Sequence, residues 1–487
     1  MRATKINKNQ WSSFVFALMK CSMPHLESKT KLIMIASVNK YINLNQNYTT
    51  MSEQKQNRQQ LACDYIHENY VAFNRLRYDL IAQKVQVLEE HSLRAPDNAT
   101  SVIGDPAEFK GKERWRYITN ADINSIVCDC CAETGANITA KEILTVLNAG
   151  SSYIPRVHPL RDYVRSLKPY TPDQPDWIDM VAQQVTVKAL GEEAKGKELW
   201  RACFKKWFVA MVASWLKDEV VNHQVLVLIG RQGIFKTTWL ERLIPPHLRD
   251  YCCKLANATQ LSKDDRLRIA EFGLINMDEL DAMTPRELSA MKSVITSSDV
   301  NERVAYGYTK ERRVRLASFC ASSNKREFLT DMTGNRRWLP FEVESIQNPF
   351  YTTQPYDLMY AEALYLIEND FNYWFDLEDI ETLEDHNETF RAQDSEEQLL
   401  PILFDIPAEG KGEFMTTAQI SERLVSYGNI KKPMSVSQLG MLLGKAGYRA
   451  VTRGNRNARV RGWIVYQRNT DEINANKTLL AKDGVTV

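Results

Sequence analysis

Short, continuous apolar runs distinguish the middle of this chain from its flanks. The segment Gln224–Ile229 is almost entirely apolar, which is typical of a parallel strand buried on both faces. Gly273–Met277 and Val314–Ala321 have the same pattern, and helical periodicity lies between the three runs. Alternating strands and helices predict an α/β domain of about residues 195–345.

The segments before and after this domain are predicted to be mostly helical. Apolar residues have mixed helical spacing over Tyr65–Glu90, and residues 116–148 indicate two helices separated at Gly135. Residues 160–220 are helical between prolines, and residues 350–390 are helical with aromatic and acidic side chains mixed. The pattern therefore predicts a helical N-terminal region.

The C-terminal part has the pattern of a small separate domain. The polar segment Gln393–Gln398 is typical of a linker. Helices are predicted over Thr416–Tyr427 and Ser435–Ala446, and strands over Arg449–Arg453 and Trp463–Gln467. Two helices followed by a two-stranded wing predict a winged helix-turn-helix, a fold used to bind either DNA or protein.

Composition indicates a globular protein with more than one domain. The chain has 487 residues, which is too long for one core, and its 44% hydrophobic and 25% charged content are ordinary. No apolar stretch is long enough to span a membrane, so we expect no membrane partner. The nine cysteines, including Cys128, Cys130 and Cys131, lack zinc-ligand spacing and favour free thiols in the cytoplasm.

The strongest candidate chemistry follows the strand that ends at Ile229. A glycine-rich loop ending in Lys-Thr lies between this strand and a predicted helix, as in a phosphate-binding loop. Backbone N–H groups would hold the phosphates of ATP, Lys236 would reach its β- and γ-phosphates, and Thr237 would bind Mg²⁺. The candidate nucleotide-binding residues are Gly230, Arg231, Gln232, Gly233, Ile234, Phe235, Lys236, Thr237 and Thr238.

One residue departs from the standard motif. Phe235 occupies the position of the second glycine, where a side chain would strain a left-handed backbone but not one with negative φ. Gly233, two residues earlier, is a candidate source of the needed flexibility. On its own, the loop also fits an ordinary strand–turn–helix.

Polar residues at the ends of two further strands strengthen the nucleotide hypothesis. Asp278 and Glu279 end a buried strand, where Asp278 would hold Mg²⁺ and Glu279 would orient or deprotonate the attacking water. Asn324 ends the third strand and would contact the γ-phosphate or the water. The alternatives are a helix cap for Asp278 and a turn residue for Asn324.

Paired arginines follow the third strand. Arg336 and Arg337 lie on a predicted loop, where they are suited to reach a phosphate across a subunit boundary. The alternative is a solvated or salt-bridged pair. These arginines complete the predicted catalytic set with Lys236, Asp278, Glu279 and Asn324.

The run from Gln224 to Val343 resembles the superfamily 3 helicases of the AAA+ class. It is most similar to the ATPase of the virulence-associated protein E family of phages and mobile elements. The matching segments are His158–Tyr163, Gly230–Gly233, Lys236–Trp239, Asp278–Leu280 and Thr333–Pro340.

This resemblance covers about 40% of the chain. It implies a homo-oligomeric ring, often a hexamer, that couples ATP hydrolysis to movement on single-stranded or forked DNA. Family members are often fused to a primase, but residues 1–150 lack a primase acidic constellation, so we expect any primase to be a separate chain.

Two basic segments are candidate DNA contacts. The segment Arg303–Arg315 is predicted to be a hairpin with a basic, aromatic tip, and such a hairpin contacts DNA in the helicases that the chain resembles. The alternative is a solvated surface hairpin. The candidate residues are Arg303, Tyr306, Lys310, Arg312 and Arg313 in the hairpin, and Lys445, Arg453, Arg456, Arg459 and Arg461 in the wing.

These observations predict an α/β protein with an AAA+-like P-loop core, a helical N-terminal region and a C-terminal winged helix. The leading function is an ATP-dependent DNA helicase or translocase of a replicating element; the alternatives are an ATP-controlled DNA-binding initiator and a defence switch without unwinding. The predicted segments are an extension (1–51), N-terminal helices (52–150), a pre-ATPase region (151–222), the ATPase core (223–345), a helical connector (346–392), the winged helix (393–470) and a tail (471–487).

Overall fold

The computed structural model shows a mixed α/β protein with several sheets. It describes residues 58–89, 115–149, 153–188, 193–255, 263–302, 311–329, 335–408, 412–454 and 459–474. The chain divides into two compact units, Met1–Tyr163 and Val164–Val487. In the described parts of both units, no helix is long and apolar enough to cross a membrane.

The first unit contains a four-stranded sheet in the order β3-β2-β1-β4. β1 pairs antiparallel with β2 and parallel with β4, and β2 pairs antiparallel with β3. The strands are β1 (Leu76–Asp79), β2 (Lys84–Leu88), β3 (Trp115–Tyr117) and β4 (Arg156–Val157). Its helices are 58–66, extended by a π turn at His67–Val71, then Asn120–Thr134 and Ala140–Asn148, and the helix Pro159–Ser166 spans the division between the units.

The predicted helical pattern over Tyr65–Glu90 is therefore wrong for its second half, which forms β1 and β2. The first helix ends because Asn74 adopts a left-handed φ of 53°, a conformation that asparagine tolerates better than most residues. Asp79 then accepts a bond from Ile81 N at 2.8 Å, which stabilises the turn between β1 and β2. Leu76 and Val85 from these strands are buried in one core with the following helices.

The second unit is built on a six-stranded sheet in the order β5-β12-β6-β11-β8-β7. The pairings from β12 through β7 are all parallel, and β5 is antiparallel to β12. The strands of this part of the unit are β5 (Val185–Val187), β6 (Val225–Ile229), β7 (Cys252–Lys254), β8 (Leu274–Met277), β9 (Asp299–Glu302), β10 (Glu311–Val314), β11 (Ser318–Ser323) and β12 (Trp338–Ile346).

Helices and short 3-10 turns surround this sheet. Every residue of β6, β8 and β11 is buried, as their apolar runs predict. The long helix Glu193–Leu216 packs on the sheet, and its Trp207 and Trp215 donate to the carbonyls of Phe319 and Gly273. The other helices are Trp177–Ala182, Lys236–Glu241, Lys263–Glu271, Pro285–Thr296, Tyr356–Glu368 and Leu377–Glu388, and the 3-10 turns are Pro246–Tyr251, Leu280–Ala282 and Asn335–Arg337.

The predicted strand Val314–Ala321 is two strands in the structure. Its first residue ends β10, which pairs with β9 in an antiparallel hairpin, and its last residues belong to β11 in the main sheet. The tip of the hairpin, residues 303–310, lies outside the described residues.

Within the described residues, the C-terminal part of the second unit has three complete helices, a helical segment at 470–474 and a small antiparallel sheet. β16 pairs with β13, β14 and β15. The helices are Ser395–Leu403, Thr417–Gly428 and Val436–Lys445, and the strands are β13 (Phe404–Asp405), β14 (Glu413–Met415), β15 (Arg449–Arg453) and β16 (Val460–Gln467).

The prediction of a linker at Gln393–Gln398 is wrong, because this segment begins the helix Ser395–Leu403. Glu396 is buried and accepts a hydrogen bond from Met434 N at 2.6 Å. Leu400 and Leu403 join the core of the C-terminal part. Glu396 therefore faces the interior with a specific hydrogen-bond partner. The polar composition of this segment predicted a linker because it does not show which side chains are buried.

Candidate functional site

The carboxyl ends of β6, β8 and β11 meet at one edge of the main sheet. Ile229 at the end of β6 pairs with Ser323, and Met277 at the end of β8 pairs with Ala321. The strand order also reverses at β6, which has β11 on one side and β12 on the other. In open parallel sheets, ligands bind at the carboxyl edge beside such a reversal.

Lys236 lies in the middle of this edge, at the start of the helix that follows β6. Its Nζ donates to Gly230 O at 2.6 Å, to Arg231 O at 2.8 Å and to Asn324 Oδ1 at 3.2 Å. Burial lowers the pKa of this ammonium group, although the nearby carboxylates Asp281 and Asp278 act in the opposite direction. The structure thus brings together the predicted phosphate-binding lysine and the predicted sensor amide.

Three side-chain oxygens form a cluster next to Lys236. Thr237 Oγ1 donates to Asp278 Oδ1 at 2.9 Å, and Ser322 Oγ donates to the same oxygen at 2.6 Å. The two hydroxyl oxygens are 3.4 Å apart. Carboxylate and hydroxyl oxygens are hard ligands of the kind that Mg²⁺ prefers, so this cluster fits the predicted metal.

The sequence predicted Thr237 and Asp278 in this cluster but missed Ser322. The available signal was the polar pair Ser322-Ser323 at the end of an otherwise apolar strand. Asp281 was missed as well: its Oδ1 accepts from Asn324 N at 3.1 Å and from Ser323 Oγ at 3.5 Å. Asp281 therefore holds the loop that carries the sensor amide against the turn after β8.

Glu279 is exposed at the same edge and has a left-handed backbone. Its φ is 56°, which is uncommon for a residue other than glycine. Non-glycine residues held in strained conformations cluster at functional sites.

The backbone at Phe235 adopts the strained alternative of the two that the sequence left open. Its φ is 66°, in the left-handed region where a side chain is unfavourable by about 1–2 kcal/mol. The ring contacts Phe350 edge to face, with centroids 6.1 Å apart. Gly233 also has a positive φ, 83°, so both positions bend the loop.

Gly230 is required for a different reason, the close approach of β12. A Cβ atom at this position would lie 2.8 Å from Val343 O and 2.9 Å from Ile234 Cδ1. The following residues Arg231 and Gln232 are exposed, and Thr238 is half-buried on the helix. The predicted loop thus lies directly against the end of β12.

Arg336 and Arg337 lie at the other edge of the sheet. They immediately precede β12, whose first residue, Trp338, pairs with Val225 at the start of parallel β6. Four residue steps along β6, roughly 13 Å, separate that edge from the phosphate loop. The arginines therefore lie away from the loop of their own chain, and their predicted contact with a phosphate across a subunit boundary stays a prediction.

The arginine pair has its own surroundings at this amino edge. The Gln224 side-chain amide faces the backbone carbonyls of both arginines. Burial lowers the pKa of Arg337, and the neighbouring charge of Arg336 acts in the same direction. A phosphate contact by either guanidinium would have to involve a second molecule.

Only two of the candidate DNA contacts in the hairpin β9–β10, Arg312 and Arg313, lie in the described residues. Arg312 is exposed and forms an ion pair with Asp299. Arg313 is instead buried and pairs with Glu271 at 2.8 Å, so its prediction as a DNA contact is wrong. The candidates Arg303, Tyr306 and Lys310 lie outside the described residues.

The C-terminal part exposes several cations. Arg459 and Arg461 are exposed, Arg453 lies over the Phe414 ring at 4.8 Å, and Lys445 pairs with Glu388 at 3.1 Å. Candidate Arg456 lies outside the described residues. Further exposed cations that the sequence analysis did not select are Lys431, Lys432 and Arg449.

These cations belong to a long segment with one sign of charge. From Lys431 to Arg468 the sequence has nine Lys and Arg residues and no Asp or Glu. Such a local bias attracts phosphate even though the formal net charge of the whole chain is only +1.

Comparisons with known proteins identify one segment. Residues 176–392 match the model of the virulence-associated protein E-like domain, a segment that includes the whole main sheet. No curated protein matches the chain.

Two solved structures resemble this chain weakly. The apo structure of the NrS-1 C-terminal region (305–718) has a TM-score of 0.40 and 11% identity, covering 80% of this chain and 96% of that chain. The A form apo structure of the same region has a TM-score of 0.39 with the same identity and coverage. TM-scores below 0.5 are too low to assign a shared fold.

Proposed function

We propose that the second unit is an ATPase, and that the chain is an ATP-dependent DNA translocase or helicase-like motor in the replication of a phage or mobile element. The observation that carries this proposal is the convergence of four side chains at one sheet edge, where Lys236 donates to Asn324 and Thr237 donates to Asp278. The match of residues 176–392 to the virulence-associated protein E-like domain supports it.

Each side chain at the edge has a role in this proposal. The loop N–H groups and Lys236 bind the phosphates of ATP, as at other strand–loop–helix junctions. Thr237 and Asp278 hold Mg²⁺, which neutralises charge on the phosphates, and Ser322 orients the Asp278 carboxylate. Exposed Glu279 orients the attacking water, and Asn324 couples the γ-phosphate to the loop after β11.

The arginine pair supports assembly into a ring. Because Arg336 lies at the sheet edge opposite the loop of its own chain, it can act on ATP only in a neighbouring copy. A head-to-tail interface repeats this contact around a closed ring. The proposal therefore includes a homo-oligomer whose nucleotide sites lie between subunits.

DNA binding is assigned to the basic C-terminal part. Its element order, a helix, two short strands, two helices and two paired strands, agrees with a winged helix. The exposed arginines on β15 and β16 would contact the phosphate backbone. Ring-channel contacts by the tip of the β9–β10 hairpin remain part of the proposal.

The proposal is tested by ATP hydrolysis with and without single-stranded DNA. We expect wild type to be stimulated by DNA, and Lys236→Ala and Glu279→Gln each to lower kcat roughly 100-fold or more. Lys197→Ala, an exposed lysine in the helix Glu193–Leu216, is the matched control and should keep full activity. A rate of ATP hydrolysis that single-stranded DNA does not change would reject the proposal that the chain is a DNA motor.

A second candidate is an ATP-controlled DNA-binding initiator that does not unwind DNA. It is favoured by the Lys445–Glu388 ion pair, which joins the basic part directly to the helix Leu377–Glu388 of the ATPase part. Strand displacement on a forked duplex separates the two candidates. DNA-stimulated hydrolysis without displacement favours the initiator.

A further inference from the structure

Two aromatic side chains project next to the phosphate loop. Phe350 and Tyr351 follow β12 and are 62% and 90% exposed, although large apolar side chains are normally covered. The Phe350 ring contacts Phe235 of the phosphate loop itself. The Phe350 ring therefore extends the surface of the phosphate loop, and the exposed Tyr351 is the next residue along the chain.

The loop that carries this pair is held in a defined conformation. Asn348 accepts three hydrogen bonds, from Phe350 N to its side chain and from Tyr351 N and Thr352 Oγ1 to its carbonyl, each at 3.0 Å. These bonds fix the backbone that carries the two rings. The rings are therefore exposed on a hydrogen-bonded turn with a defined conformation.

Buried hydrogen bonds connect this loop to the phosphate-loop helix. Gln354 Nε2 donates to Gln184 Oε1 at 2.7 Å, and Trp239 Nε1 donates to the same oxygen at 2.9 Å. Tyr356 OH also donates to Arg242 O at 2.8 Å, beyond the end of that helix. The distance between the aromatic pair and the phosphate loop is therefore set by the core.

Phe235 supplies a further reason to assign a ligand to this surface. Glycine would remove the strain at φ 66°, yet the chain has a phenylalanine there whose ring contacts Phe350. Strain that the surrounding structure maintains is typical of ligand-binding positions. A flat, apolar group would extend this aromatic contact.

We propose that Phe235, Phe350 and Tyr351 form the base-binding surface of the nucleotide site. A purine nucleotide should therefore bind more tightly than its phosphates alone. This inference rests on the proposed function, because it places the base of the nucleotide whose phosphates occupy the loop. Bases stack on aromatic side chains through their π faces, and the larger face of a purine covers more of this surface.

The test compares a nucleotide with its phosphates alone. Calorimetric titrations use magnesium ATP and magnesium tripolyphosphate, on wild type, Phe350→Ala and Tyr351→Ala. We expect each variant to weaken ATP binding about tenfold and to leave the Kd for tripolyphosphate unchanged. Phe350→Tyr, which keeps the ring, should bind ATP like wild type, and so should Trp374→Ala, which removes an exposed ring elsewhere.

The outcomes distinguish this inference from the proposed function. If wild type binds both probes and the alanine variants bind ATP unchanged, or lose both probes equally, the base site is rejected while a phosphate site stands. If wild type binds neither probe, the proposed function is rejected with it. If Phe350→Ala lowers only the oligomeric state in light scattering, the surface is a subunit contact and the base site is rejected.

Discussion

At the scale of single residues, Phe235 offers the sharpest test of the loop geometry. A left-handed backbone favours glycine, so we expect Phe235→Gly to be about 1 kcal/mol more stable than Phe235→Ala. Both variants lose the ring contact with Phe350, so this loss cancels in the comparison. Urea unfolding of the two variants, without nucleotide, measures the difference.

A helical position provides the control for this comparison. Ala290 is exposed within the helix Pro285–Thr296, where Ala290→Gly should be destabilising by roughly 0.5–1 kcal/mol. The order of glycine and alanine at Phe235 should therefore be the reverse of their order at Ala290. The same order at both positions would show that Phe235 is not left-handed in solution.

Residue types identified much of the candidate site from the sequence alone. Lys236, Thr237, Asp278 and Asn324 were found because each follows a buried strand, and parallel strands bring their carboxyl ends to one edge. Ser322 differs because it is the penultimate residue of β11 and does not follow the strand. The polar pair Ser322-Ser323 was a local signal, but the role of Ser322 depends on the register between β11 and β8, which spacing alone does not give.

At the scale of elements, an uninterrupted apolar run decided whether the sequence revealed a strand, and the nine-residue β12 was missed because Pro340 and Glu342 interrupt its apolar residues. β6, β8 and β11 were predictable because they are continuous apolar runs in the buried centre of the sheet. β5 and β7 have three residues each, too few for a periodicity to be recognised. The order of the strands follows from long-range pairing and could not be predicted from spacing.

The wing formed by β15 and β16 carries a prediction of its own. Arg459 and Arg461 are exposed there, so Arg459→Ala and Arg461→Ala should each weaken binding to any DNA sequence and lower the slope of log K against log salt by about 1. Fluorescence anisotropy across a salt series measures both quantities. Arg468→Ala is the control, because Arg468 is already paired with Asp405 at 2.8 Å. An unchanged salt slope in both wing variants would remove the wing from the DNA interface.

At the scale of the whole molecule, the main sheet separates the loop after β6 from the arginine pair, which the sequence predicted to act across a subunit boundary. The phosphate loop follows β6, and Arg336 precedes β12, so parallel pairing of these strands puts them at opposite edges. The loop and the arginines are close in sequence order but cannot meet within one chain. A closed ring of identical subunits is the simplest arrangement that joins them.

Mixing two inactive variants tests this arrangement directly. Lys236→Ala removes the phosphate contact but keeps the arginine pair, whereas the double variant Arg336→Ala, Arg337→Ala keeps the loop. In a random equal mixture, about one quarter of the head-to-tail interfaces combine an intact loop with intact arginines. We therefore expect each variant alone to be nearly inactive and the mixture to regain roughly one quarter of wild-type ATP hydrolysis.

The control for this recovery is a mixture that cannot form an intact interface. Subunits of the triple variant, with all three alanines, should stay inactive when mixed with either parent. If the arginine pair instead supports the fold of its own chain, the double variant will show a lower unfolding midpoint and no recovery in any mixture. Recovery at full stability would establish that Arg336 and Arg337, which lie at the amino edge of the sheet, act on the nucleotide of the neighbouring subunit.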